Sequence, residues 1–361
     1  MISYLARRLL VALLTIFVVV TISFFMVRLM PGNAESYLEN QLIQQGGLSS
    51  AQIQERVNAL LGIEPKAPLW KQYFQYLRDI VHGNLGHSMI NPSTSVLHVV
   101  GNALPWTLFS VGVALLISFG LGVVGGTIMA AFADSFVGRF LTLVVSFLTA
   151  IPNYLIAIVL LYLIADRYHL LPSQGAYSVD TSPGFNLPFV GSVLSHSVLP
   201  IASYVITAWG GWALSMKGCV VNTLGADYVR AAESWGLRRR RVTQSYLGRN
   251  SMLPMVTSLA LSLGFMVGGS VFIETYFSYP GMGFYLIQAV NSRDYSTMMG
   301  CFLVITVSVV VANLAVDLFY PLVDPRIVSP IGRKQSETDI DVGSGVVVGP
   351  GPVSATSGAA R

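Results

Sequence analysis

Residues Asp227 to Pro254, DYVRAAESWGLRRRRVTQSYLGRNSMLP, form the most strongly basic segment of the chain, with four consecutive arginines at 238 to 241. Charge of this kind suits an acidic rim on a partner or lipid headgroups. Ahead of the arginines, Ala, Glu and Arg favour a short surface helix that Gly236 stops, and a second basic helical turn follows. The small side chains of Ala231 and Ala232 allow another surface to come close. No constellation in the chain has catalytic spacing. The five histidines, at 82, 87, 98, 169 and 196, are scattered and none sits in a metal-binding arrangement. The four lysines, Lys66, Lys71, Lys217 and Lys334, precede Ala, Gln, Gly and Gln, which rules out a G-x-x-x-x-G-K-[ST] phosphate loop. Cys219 and Cys301 are too few for a disulfide framework or a zinc site and read as small packing residues.

The elements that must hold this segment are membrane spans. A chain that is 53% apolar and only 11% charged, with a mean hydropathy of +0.64, cannot hide its apolar residues in one soluble core. Apolar runs near Leu9–Val27, Leu104–Phe132, Phe140–Ala165, Val193–Met216, Met252–Phe277 and Met298–Tyr320 are each long enough to cross a bilayer, predicting six transmembrane helices. The first is expected to remain uncleaved, since Met30-Pro31-Gly32-Asn33 follows it in place of a small-residue cleavage site. Arg7, Arg8, Arg139, Lys217, Arg230, Arg238 to Arg241, Arg249, Arg326, Arg333, Lys334 and Arg361 fall on the side of the N-terminus. Opposite lie Arg28, Arg56, Lys66, Lys71, Arg78, Arg167 and Arg293, most of them in or beside one long loop where charge counts for little. Both termini are therefore expected in the cytoplasm. The arginines gather at span ends and not along a stripe, which argues against nucleic acid.

The expected organisation is residues 1–30 as N-terminus and first span, 31–98 as a small external subdomain, 99–326 as a five-helix core carrying a cytoplasmic loop at 217–251, and 327–361 as a flexible Gly/Ser/Val/Ala tail. Gly122 with Gly126, and Gly264 with Gly268, have the spacing that lets membrane helices approach closely. Prolines 105, 152, 200 and 254 fall at or inside span ends, where they start or kink helices. Three ionisable residues lie near the spans. Lys217 reads as a snorkelling anchor at the inner end of the fourth, Asp317 sits near the inner end of the sixth, and Glu274 near the outer end of the fifth is a minor candidate for the pathway mouth.

Taken together, the motifs resemble the permease subunits of ATP-binding cassette importers, in the dipeptide and oligopeptide branch. The likeness runs from Met1 to about Arg326 through YLARRLL, RLMPGN, PLWKQYFQYL, GNLGHS, AIPNY, LPSQG and HSVLP, then DYVRAAESWG, RNSMLP, VFIETYFSYPGMGFYLIQAVNSRDY and NLAVDLFYPLVDPR. In that family the loop between these two spans lies in a groove of the ATPase, and Ala231, Ala232 and Gly236 occupy its matching positions. Arg230 stands where the general pattern has Glu, and Pro254 comes later than the general spacing; both departures suit the peptide branch. Tyr295 is followed by Ser in place of Pro, and Lys217 takes a position usually held by Arg.

The resemblance implies an all-α integral membrane protein with the type I importer permease fold. It implies coupling to the ATPase through Asp227, Tyr228, Arg230, Ala231, Ala232, Gly236, Leu237 and Arg238. It implies no cofactor in this chain, with ATP and Mg held on two ATP-binding cassette ATPase subunits, a homologous second permease subunit, and an extracytoplasmic substrate-binding protein that delivers cargo to the outer mouth. The 31–97 subdomain and the Tyr279-Pro280-Gly281 loop are the expected contacts there. Oligosaccharide, glutathione or nickel are alternative cargoes under the same mechanism. An ion-gradient-driven secondary transporter predicts mid-span charges and broken helices in repeat, and an intramembrane enzyme needs a nucleophile or metal cluster; the sequence offers neither.

Overall fold

The computed structural model describes residues 2–29, 39–40, 42–44, 46–47, 49–61, 68–89, 91–224, 227–237, 241–242, 248–265 and 271–323. They fall almost wholly in a compact unit, Met1–Tyr320. The predicted tail at 327–361 lies outside the described residues.

The chain order is α1 (Ile2–Leu29), α2 (Ser50–Leu61), α3 (Leu69–Val81), α4 (Val96–Ala131), α5 (Phe136–Ala150), α6 (Asn153–Leu160, wound on as a π-helix over Leu161–Arg167), α7 (Leu187–Leu224), α8 (Asp227–Ser234), α9 (Arg249–Phe265), α10 (Val271–Tyr276), α11 (Met282–Asn291) and α12 (Tyr295–Val323). Among the described residues there is an isolated bridge between His87 and Ser95 but no strand. Among the described residues, four helices, α1, α4, α7 and α12, are each long and apolar enough to cross a membrane, and α5 with α6 makes up to five.

Two expected spans differ from the sequence reading. The run Phe140–Ala165 is not one rod: α5 and α6 meet at 91°. Pro152 is the cause, because it lacks an N–H for the helical ladder and forces Ile151 into extended backbone, φ −82 and ψ 124. The run Met252–Phe277 is carried by α9 and α10, with residues 266–270 between them outside the described set, along with Gly268 of the second glycine pair.

The centre of the bundle is the pair α4 and α7, and glycine explains how closely they meet. A Cβ at Gly122 would fall on Trp212, and one at Gly126 on the backbone of Ala213. Gly210 on α7 does the same for α5, whose Val145 and Thr149 lie against it. Lys217 emerges from this contact half-buried and donates to Thr142 Oγ1 on α5 at 2.9 Å. At the other edge, Val20, Phe24 and Val27 of α1 pack with Tyr76 of α3, Ala289 of α11, and Met298 and Met299 of α12.

Candidate functional site

The loop singled out by its charge contains α8, an eight-residue helix with Asp227 in its first turn, where a carboxylate complements the helix dipole. Its inward face is Val229 and Ala232, both fully buried against Met216 and Val220 of α7, Ala130 of α4, Met255 of α9, and Val242. The stop is a Schellman motif. Leu237 N–H donates to Ala232 O at 3.3 Å, Gly236 adopts φ +71, and Leu237 folds back onto the same apolar cluster. Glycine is needed here because that backbone is strained for any side chain.

The outward face carries Asp227, Tyr228 and Arg230, followed by Trp235, which is 75% exposed. Ala231 is half-buried beside them. The two alanines thus serve different surfaces: Ala232 seats the helix on its own bundle, and Ala231 borders the free side. Arg238 lies outside the described residues. The base under α8 is braced by Thr223 of α7, whose hydroxyl is 3.1 Å from that of Ser251 on α9.

The second motif-rich stretch, around α10 and α11, is built the opposite way. Glu274 is 1% exposed and does not face a pathway mouth, which corrects that expectation. One carboxylate oxygen accepts from Thr107 Oγ1 of α4 at 2.8 Å, and the other from Gly283 N–H at 2.7 Å and Phe284 N–H at 3.4 Å. Thr107 Oγ1 itself accepts from Met282 N–H at 2.8 Å. These bonds satisfy the orphan donors of the first turn of α11 with a negative charge at its N-terminus, both favourable. The chain closes so tightly that a Cβ at Gly281 would land on the Glu274 carboxylate.

The Tyr279-Pro280-Gly281 turn belongs to the same knot. Tyr279 is fully buried, with its hydroxyl 3.2 Å from Ser197 Oγ on α7 and its ring edge-on to Trp106 of α4. Gly281 is buried and Pro280 half-buried, so this turn is scaffold and not the exposed contact expected from the sequence.

Sequence reasoning missed Asp294. It is fully buried, and it caps α12 by accepting from Thr297 N–H at 3.0 Å and Thr297 Oγ1 at 2.7 Å. Ser88 Oγ also donates to it at 2.6 Å, tying the segment before α4 to the start of α12. An Asp directly before an apolar helical run is a readable N-cap signal. Beside it opens a polar cavity of about 450 Å³ whose walls include Asn91, His98, Asn102 and Gln288. Asn102 Nδ2 lies 2.9 Å from His98 Nε2 in that wall.

A helical bundle with several membrane-crossing helices, a small helix seated on its base and a buried knot at the opposite end defines a multi-pass membrane protein of the permease class. Residues 122–329 match the family described as "Binding-protein-dependent transport system inner membrane component", and residues 1–108 match its N-terminal family. The chain belongs to this family of binding-protein-dependent inner membrane transport components. It is 33% identical over 331 residues to a putative peptide permease protein of Brucella suis, covering 91% of this chain and 99% of that one. It is 28% identical over 330 residues to the oligopeptide transport system permease protein OppB of Haemophilus influenzae, with the same coverage of each chain. It is 27% identical over 328 residues to the glutathione transport system permease protein GsiC of Escherichia coli strain K12, again covering 91% of this chain and 99% of that one.

Proposed function

We propose that this chain forms one half of the translocation pathway of an ATP-driven peptide importer. A homologous permease subunit supplies the other half, and two separate ATPase subunits hold ATP and Mg. An extracytoplasmic binding protein delivers cargo to the outer mouth, and both termini lie in the cytoplasm. The observation that carries this reading is the two-sidedness of α8. Tyr228, Arg230 and Trp235 face away from the bundle, while Val229 and Ala232 seat the helix on α4, α7 and α9. A helix gripped on its outer side and packed to three long helices on its inner side converts ATPase closure into movement of the bundle.

Gly236→Glu tests the coupling. It replaces the left-handed stop with a residue that resists φ +71 and adds a negative charge on the docking side. The expected result is loss of ATPase co-purification with normal membrane insertion; unchanged co-purification overturns the docking role. Gradient-driven uptake by the chain alone in liposomes, with no ATPase subunit, would overturn the importer reading itself.

Peptide cargo is supported by the named peptide permeases of Brucella and Haemophilus, and glutathione, itself a tripeptide, is the second reading because of the GsiC relative. Binding measurements on the binding protein encoded with this chain, with dipeptides and oligopeptides set against glutathione, oligosaccharides and nickel, separate these cargoes.

A further inference from the structure

Helix α3 has three faces: one packs inside the protein and two are exposed. Gln72 and Tyr76 are buried, and Tyr73, Leu77 and Ile80 pack beside them against α1, α11 and α12. At about 100° per residue, Trp70, Phe74 and Val81 fall within an arc of roughly 40° on a second face. They are 66%, 63% and 82% exposed. Lys71, Gln75 and Arg78 form a third, polar face beyond that arc, also exposed.

The depth at which α3 sits is set by α1. Tyr73 OH lies 2.7 Å from Thr21 Oγ1, and the Tyr73 ring stacks on Phe25 at 5.6 Å. Thr21 precedes the last residue of α1, Leu29, by eight positions, which is about 12 Å along the helix axis. That places the contact inside Ala6–Leu29, the stretch of α1 long and apolar enough to cross a membrane. The exposed side of α1 at this level is Ile22, Phe25 and Met26, a lipid-facing surface by composition. Phe25 stacks on Tyr73, and Tyr73 meets Phe74 edge-on, so the apolar surface of α1 continues without a break onto the second face of α3.

We infer that α3 is an interfacial membrane helix: Trp70, Phe74 and Val81 enter the leaflet beside α1, while Lys71 and Arg78 lie at the level of the lipid phosphates. Aromatic rings concentrate at this depth because one end is apolar and the surroundings are wet, and long basic side chains reach back to the headgroups. The segment that follows the first span is therefore divided in its duties. Its α3 side belongs to the lipid, which leaves other surfaces of the external subdomain for a protein partner. This inference rests on α1 crossing the membrane and is independent of cargo and of ATPase docking.

The test is a nitroxide label at Phe74→Cys, and separately at Gln75→Cys, in the full chain carrying Cys219→Ala and Cys301→Ala. The chain is reconstituted in phosphatidylethanolamine–phosphatidylglycerol vesicles. Relaxation by molecular oxygen, which partitions into lipid, is compared with relaxation by a water-soluble nickel chelate. The expected result is oxygen dominating at position 74 and the ratio reversing at 75, with Trp70→Cys behaving like 74. Nickel dominating at 74 would mean that the face meets water. An immobilised label reached by neither reagent would mean that a protein covers it. Either outcome overturns the inference, and neither bears on whether Gly236→Glu uncouples the ATPase.

Discussion

The α8 loop and the Glu274 knot invite comparison, because each is a short helix in a motif-rich segment that packs on α4 and α7. Their polar groups point in opposite directions. In the knot the carboxylate, the Thr107 hydroxyl and the backbone donors of α11 are all spent on one another, and Glu274 is 1% exposed. On α8 the inward side is purely apolar, and Asp227, Tyr228, Arg230 and Trp235 are left outside. A dense motif thus has two physical meanings: one is a scaffold that closes on itself, the other is a seated helix that leaves its polar and aromatic side chains exposed.

That contrast can be broken at three strengths. Glu274→Ala should have the largest effect on stability, about 3 kcal/mol or more, because it strands the Thr107 hydroxyl and the Gly283 N–H in a buried site at about 1–3 kcal/mol for each lost partner. Thermal unfolding of the detergent-solubilised chain reads it. A melting temperature equal to that of the wild type would mean that the knot is not the pin described here. Gly126→Leu comes next. It drives a side chain into the backbone of Ala213, where overpacking costs typically about 1–3 kcal/mol. Because α4 and α7 underlie both regions, it should lower the melting temperature and weaken ATPase co-purification together; loss of only one would mean that the two regions rest on separate foundations.

Trp235→Ala should have the smallest effect on stability, within about 0.5 kcal/mol, since the ring is exposed. ATP-dependent uptake by the reconstituted complex should nevertheless fall sharply. Uptake at the wild-type level would remove Trp235 from the docking face. The sharpest form of the comparison is the ratio of functional loss to stability loss, high on α8 and low in the knot.

What the sequence made legible follows the range of each interaction. The stop at Gly236 was readable because it is local: a helix-forming run meets a residue that tolerates positive φ. Gly122 and Gly126 were readable because their four-residue spacing puts both on one side of a helix. The inward seat of Ala232 was not readable, since an eight-residue helix between two spans has no periodicity long enough to fix its face. The partnership of Thr107 with Glu274 joins positions 167 residues apart, and nothing near Thr107 announces it. Pro152 was readable as a place where a helix starts or kinks, but the size of the bend was not. Hydropathy runs through Phe140–Ala165 without interruption, while the break is made by backbone dihedrals. Glu274 shows the limit of reading charge by position alone: a carboxylate near a span end was a candidate for the pathway, and it turned out to be a helix cap.

Helix α4 touches both regions, through Thr107 in the knot and Ala130 under α8. The two residues are about 35 Å apart along one continuous helix. The only proline inside α4, Pro105, lies outside that interval. The helix is therefore a push-rod with both bearings already fitted. Both bearings sit on one uninterrupted helix. A change at the α8 seat thus has a single helix through which to reach the Glu274 knot.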